Sequence, residues 1–317
     1  MVRCRKDMEK RDGKWRLNIA DYRLGAQLSW LLVINSMLLG VAAFTSYAVT
    51  RYLFWPNLSC RFILNDPTTC ILHETQMDLI GGAQQMYLNL ILPLMIFVML
   101  ILMLGRVWCG WLCPVLCMQE LFGRARRTAG VAYTEMSSTL VLALSRAKYA
   151  FLLLIMWGVL AYLLPRLPSC LSTRAAISCE VCPARPFCIW FQQGIGLESL
   201  ATKVPWWSVV VFAGVVVSSV KVRDPWCHVC PLGAMQAPFN RHALVKLEKD
   251  GTKCTRCRAC LRVCPMDIEE IYDEVEATNV THEDCIHCYR CVEKCPEDGC
   301  LNVTFLGKRV YRSKRKW

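Results

Sequence analysis

Cys254-x2-Cys257-x2-Cys260-x3-Cys264-Pro265, followed by Cys285-x2-Cys288-x2-Cys291-x3-Cys295-Pro296, sets eight cysteines in two copies of one pattern 31 residues apart. Three thiolates on one tight loop reach three corners of a 4Fe-4S cube, and the fourth cysteine, beyond a proline turn, is directed at the other cube. Cys254, Cys257 and Cys260 with Cys295 are therefore expected at one cluster, and Cys285, Cys288 and Cys291 with Cys264 at the second. Structural zinc and disulfides also use C-x-x-C spacing, but two tandem copies, each closed by Cys-Pro, speak against both. Neither run contains C-x-x-C-H, so covalent haem is not indicated. No substrate-transforming constellation accompanies the eight ligands. The stretch by itself passes electrons.

The spacing predicts a two-cluster bacterial ferredoxin domain of α+β type over 246–306, and the remaining composition places it beside a membrane. The chain has 317 residues, of which 55% are hydrophobic and 20% charged, and its mean hydropathy is +0.31. That is apolar for a soluble protein of this length. Twenty-one cysteines would signal a disulfide scaffold in a short secreted chain, but cluster ligands need a reducing compartment. A formal charge of +12 comes with no nucleic-acid motif, so a nucleic-acid partner is not expected.

Four apolar stretches follow the basic segment 1–27: Leu28 to Val49, Met86 to Leu104, about Tyr149 to Leu164, and about Trp206 to Val220. The first exceeds a usual signal-peptide core, and no small-x-small cleavage site follows it, so it reads as a retained helix. Lys plus Arg number 8 before the first stretch, then 2, 6, 4 and 17 after each successive one. The positive-inside rule thus puts both termini and the 105–148 loop in the cytoplasm and turns the less basic loops outward. The expected fold is an α-helical membrane domain of four transmembrane helices over 28–245, the ferredoxin domain, and a basic tail over 307–317.

A second cysteine pattern lies at the inner ends of the second and fourth stretches. Trp108-Cys109-Gly110-Trp111-Leu112-Cys113-Pro114-x3-Met118-Gln119 matches Trp226-Cys227-His228-Val229-Cys230-Pro231-x3-Met235-Gln236, a degenerate duplication of one helical hairpin. Cys109, Cys113, Cys227 and Cys230 are candidate ligands of a further cluster at the membrane interface; packing cysteines are the competing reading. Cys117 has Ala234 as its counterpart and stays outside that set.

Four spans, Gly105-Arg106-x2-Cys109-Gly110-Trp111-x-Cys113-Pro114, the element Cys227-x2-Cys230-Pro231-x-Gly233-Ala234 and the tandem ferredoxin motif together resemble the NapH-like membrane ferredoxins, a group related to the NosR-type and CcoG-type 4Fe-4S proteins. The resemblance implies a quinol-dehydrogenase-type electron-transfer subunit of a bacterial inner membrane, working with the quinone pool and a partner oxidoreductase. The chain departs from those relatives in its Cys-x2-Cys-Pro element and its cysteine-rich loop, and no flavin-carrying domain stands in the sequence.

Cys170, Cys179, Cys182-Pro183 and Cys188 lie in the loop read as outward-facing, as do Cys60 and Cys70 in the loop before it. Disulfides and an outer-face cluster both fit Cys170, Cys179, Cys182 and Cys188, and another metal or free thiols is a third reading. No histidine falls inside a span, which argues against a b-type haem. His228, between two cysteines, is read first as a surface histidine and second as a residue that ligates or tunes a cluster. Asn35 and Asn89 are read first as helix–helix hydrogen-bonding groups, Glu74 and Asp78 as solvated carboxylates, and the Lys308 to Lys316 tail as a docking or a solvated segment. Two functional classes follow: an electron-transfer subunit between the quinone pool or a cytoplasmic donor and a partner, and a maturation factor that supplies electrons during assembly of a partner enzyme.

Overall fold

A computed structural model describes residues 19–35, 72, 91–134, 136–163, 181–194, 204 and 206–314. Helix α1 (Ile19–Asn35) covers the start of the expected first span, and the rest of that span lies outside the described residues. The two cysteine-bearing hairpins repeat one succession of elements. In the first, α2 (Leu92–Leu104) leads into α3 (Val107–Trp111) and α4 (Pro114–Thr128). After α5 (Ser138–Leu163) and α6 (Ala184–Gly194), the second runs through α7 (Trp206–Ser219), α8 (Pro225–Val229) and α9 (Pro231–Asn240).

The Cys-Pro dipeptides explain the matching corners. A residue before proline is pushed to extended backbone, and proline is well suited to the first position of a helix, where no N–H partner is lost. Cys113 (ψ 122°) caps α4 and Cys230 (ψ 121°) caps α9 in this way. Each sulfur is thereby fixed at the sharp bend between a short helix and the next.

The third expected span, Tyr149 to Leu164, is part of a longer helix. α5 runs 26 residues and begins at Ser138. Lys148, read from sequence as a loop cation, is buried in the helix with Asp284 as its ion-pair partner, so its charge does not end the helix. Among the described residues α5 alone is long and apolar enough to cross a membrane, over Thr139–Trp157 with hydropathy 1.7. α2 and α7 are apolar but shorter, 13 and 14 residues. Met95, Leu153, Trp206 and Val217 on α2, α5 and α7 are all largely exposed.

The C-terminal half is an antiparallel sheet, β1 (Val245–Lys249), β2 (Leu301–Phe305) and β3 (Lys308–Arg312), packed with α10 (Ala259–Val263), α11 (Glu270–Asp273) and α12 (Arg290–Lys294). β1 pairs with β2 from Val245↔Phe305 to Lys249↔Leu301. Leu306 (φ 51°) and Gly307 (φ 77°) make the two-residue hairpin to β3, the left-handed form that matches strand twist. The stretch read as a basic tail thus supplies a third strand. Lys249 is buried at the end of β1, and its ammonium donates to the carbonyls of Ile271, Tyr272 and Glu274 at 3.0, 2.8 and 2.6 Å. It satisfies the open end of α11.

Candidate functional site

The two ferredoxin loops have the same backbone, residue for residue. Arg256 and Arg258 are left-handed (φ 52° and 60°), as are His287 and Tyr289 (φ 48° and 57°) at the matching places in the second copy. Alternating left- and right-handed residues turn successive amides into a concave nest suited to an anionic group such as an iron–sulfur cluster. Cys264 and Cys295 then close α10 and α12 in extended conformation, ahead of Pro265 and Pro296. α10 packs on α12, and this crossing carries each fourth cysteine to the other loop. One cavity, with about 370 Å³ of empty space, is lined by Cys285, Cys288, Cys291 and Cys264. The other, about 350 Å³, is lined by Cys254, Cys257, Cys260 and Cys295, and also by Cys300.

The hairpin cysteines also converge. Each of the thiols of Cys109, Cys113, Cys227 and Cys230 lies within electrostatic reach of the other three. The duplicated Met-Gln positions cross over to serve them: Gln119 Nε2 donates to Cys227 Sγ at 3.7 Å, while Gln236 Oε1 accepts from Cys109 Sγ at 3.0 Å. Gln119 Oε1 also accepts from the Trp226 amide at 3.0 Å.

These donor sets fit iron–sulfur clusters. Burial pushes the Cys230 thiol up to about 11, with the charge of Cys109 adding to it, and pushes Cys285 up to about 12, helped by Cys288. Four buried thiolates are therefore costly unless a cationic centre shares their charge. Gln236 Nε2 is a buried donor without a partner. When Cys109 loses its proton, a turn of that amide puts the free N–H on the sulfur, as Gln119 already does at Cys227. Among the described residues no three His, Cys, Asp or Glu side chains are close enough to share one metal ion. A single zinc needs four donors on a shell of about 2.3 Å, whereas a cube takes one thiolate at each of four separated irons.

The second ferredoxin loop is seated directly on the hairpin cysteines. Cys109, Cys113 and Cys227 pack against the ferredoxin core that contains Cys264, Cys288, Cys291 and Cys295. Main-chain carbonyls of the ferredoxin half take donors from the helical half: Cys288 from Arg23 Nη1 (3.1 Å), His287 from Trp111 Nε1 (3.0 Å), and Cys285 and His282 from Asn240 Nδ2 (2.9 and 2.8 Å). Arg106 lies between the two halves, 1% exposed. Its Nη1 donates to Asp284 Oδ1 and to the Glu283 carbonyl, both at 3.2 Å, and its charge is felt by Cys109, Cys230 and Cys227. Asp284 also accepts from Ser145 Oγ at 2.8 Å and pairs with Lys148. Burial opposes ionisation of Asp284, but Arg106 and Lys148 outweigh it and hold the carboxyl below its ordinary range.

Three sequence expectations change. His228 is not at the surface: it is 3% exposed, and its Nε2 sits 3.2 Å from the Pro265 carbonyl. Cys182 does not face the side opposite the hairpin cysteines. It packs on the same buried group, Val115, Met118, Ala184, Val215 and Trp226, as Cys113 and Cys230, because α6 lies against α4 and α7. The cysteine count also overlooked Cys300, which follows no motif and whose only signal is position, five residues past Cys295. Cys117 is fully buried, with Glu120 as the charge it feels. Cys60, Cys70, Cys170 and Cys179 lie outside the described residues, as do Glu74, Asp78 and Asn89; Cys188 falls on α6.

A 4Fe-4S dicluster domain model matches residues 246–296, and a 4Fe-4S binding domain model matches residues 85–131 and again 204–249, the two hairpins. Ferredoxin-type protein NapH of Escherichia coli is 37% identical over 82 residues, 24% of this chain and 29% of that protein. An uncharacterised Methanocaldococcus jannaschii protein is 27% identical over 228 residues, 70% of this chain and 81% of its own length. Regulatory protein NosR of Stutzerimonas stutzeri is 27% identical over 219 residues, 68% of this chain, which spans only 27% of NosR. No solved structure matches. With 4Fe-4S modules at both hairpins and over the tandem motif, the chain is a homologue of the ferredoxin-type protein NapH and of the regulatory protein NosR.

Proposed function

We propose that the chain is a membrane-bound electron-transfer subunit with three 4Fe-4S clusters. Cys254, Cys257, Cys260 and Cys295 hold the first, Cys285, Cys288, Cys291 and Cys264 the second, and Cys109, Cys113, Cys227 and Cys230 the third. Bound there, the clusters supply one-electron carriers between the quinone pool or a cytoplasmic donor and a partner oxidoreductase. The observation that carries this reading is the meeting of the four hairpin cysteines under the second ferredoxin loop.

The chain's own residues give that arrangement its properties. Gln119 and Gln236 present amides to the hairpin sulfurs, and such contacts set the potential of a cluster. Leu104, Val107, Leu116 and Ile286 close the space between the halves to water, while Arg106 offsets the negative charge of thiolate ligands on both sides. The exposed apolar faces of α2, α5 and α7 are suited to lipid, and both termini lie on the cytoplasmic side of a bacterial inner membrane. That relatives of the chain are ferredoxin-type proteins supports the electron-transfer class.

The test is made on the full chain extracted from membranes in detergent and reduced anaerobically. Added quinone analogue should reoxidise the clusters, seen as loss of their electron paramagnetic resonance signals. Recovery in the soluble fraction without detergent, or clusters that stay reduced at every quinone concentration, would contradict the proposal.

A further inference from the structure

Cys300 is the one cysteine of the C-terminal half that the paired motifs leave unassigned. It immediately precedes β2, is 2% exposed, and lines the same cavity as Cys254, Cys257, Cys260 and Cys295. Its thiol lies within electrostatic reach of those of both Cys295 and Cys254. The backbone holds it there: the Asp250 amide donates to the Cys300 carbonyl at 2.8 Å, and Cys300 Sγ lies 3.6 Å from the Asp250 carbonyl.

A cube takes one thiolate for each of its four irons, so this cavity has one thiol more than it needs. The surplus is not a requirement of the fold. The sister cavity is lined by four cysteines and no fifth, and the residue five past Cys264 is the exposed Glu269. A thiol that lines the same cavity as both ligand sulfurs can reach the iron that either one would bind. Of the two, Cys295 lies only five residues before Cys300 across the turn into β2, and it is the neighbour whose thiol Cys300 feels most.

We propose that Cys300 is a second thiolate for the iron corner held by Cys295, so that this cluster keeps its fourth iron through ligand exchange. In the exchange the iron–sulfur bond to Cys295 breaks, one to Cys300 forms, the Cys300 proton passes to Cys295 Sγ, and no electron is gained or lost. The effect is to oppose conversion to a three-iron cluster when an oxidant attacks that corner. The inference rests on the cluster assignment of the proposed function.

Cys295→Ala, Cys300→Ala, the double variant and Cys257→Ala are made in the full chain, with the Cys285-side signal as internal control of folding. The readouts are iron content and electron paramagnetic resonance before and after ferricyanide. Cys295→Ala should keep its four-iron signal, and the double variant should show a three-iron signal or none. Cys300→Ala should keep four irons as purified but convert to the three-iron form several-fold faster than the native chain. Loss of the fourth iron in Cys295→Ala alone, or native oxidation kinetics in Cys300→Ala, would overturn the role of Cys300. A Cys257→Ala chain that keeps the signal would instead overturn the cluster assignment beneath it, since Cys257 lines the cavity and is not among the neighbours of Cys300.

Discussion

A Cβ placed on Gly110 would fall 2.2 Å from the carbonyl oxygen of Ile286, so the Trp-Cys-Gly-Trp turn of the first hairpin and the second ferredoxin loop meet backbone to backbone. No side chain fits between them. The neighbouring Gly105 is held as closely: it is left-handed (φ +62°), and a Cβ there would lie 2.7 Å from Asn240 Oδ1 and 2.9 Å from His287 Nε2.

Gly110→Ala should therefore undock the ferredoxin half without removing its clusters. Limited proteolysis should cut the segment between α9 and β1 faster in this variant, while its ferredoxin resonance signals persist. Gly214→Ala, on a helix with nothing within 4 Å, should behave as the native chain.

Asp284 is the common counter-charge of Arg106 and Lys148, whose side chains are 2% and 1% exposed. Asp284→Asn leaves both cations buried without their anion, a change that costs about 3–5 kcal/mol. Ser145→Ala removes one hydrogen bond to the same carboxylate, about 1 kcal/mol. Denaturant midpoints followed by protease resistance should rank Asp284→Asn well below Ser145→Ala, and Ser145→Ala just below the native chain.

The cluster loops were legible because their chemistry is local. Three cysteines at fixed spacing with a proline after the fourth determine both the loop and the crossover, and the duplicated Cys-Pro frame announced two hairpins whose cysteines meet. The docking was not legible, since Asp284, Asn240 and Glu120 become important only through partners 97 or more residues away or through carbonyls that carry no sequence signal. His228 was misplaced because its partner is the Pro265 carbonyl, 37 residues on, and Cys182 because charge counting assigns a side of the membrane to a loop but does not see α6 turning back against α4 and α7.

Acid should loosen the docked state through Glu120. Burial works against its charge, yet the hydrogen bond and charge of Arg23 and the charge of Arg290 outweigh that and hold the carboxyl below its ordinary range. Its contribution is thus complete above the unfolded value of about 4.3 and is lost as pH falls through the lower folded value. Protease resistance measured between about pH 3 and 6 should fall with acid in the native chain. Glu120→Gln should start lower, because Arg23 is then buried unpaired, and should lose part of that slope. An identical slope in both would remove Glu120 from the docking contact.

The proposed crossed ligation makes Cys264 and Cys285, 21 positions apart, partners. Cys264→Ser and Cys285→Ser should remove the same resonance signal, and Cys254→Ser the other. If Cys264→Ser instead removed the signal lost in Cys254→Ser, each motif would be binding its own cluster.

Iron and acid-labile sulfide counted per full-length chain give the most direct measure of the hairpin site. Three 4Fe-4S clusters hold about twelve of each, and the ferredoxin half alone about eight. The native chain should give about twelve, and Cys113→Ser and Cys230→Ser should each fall to about eight with both ferredoxin signals intact. A native count of about eight, unchanged by either substitution, would reduce Cys109, Cys113, Cys227 and Cys230 to packing residues and leave no third cluster in the hairpins.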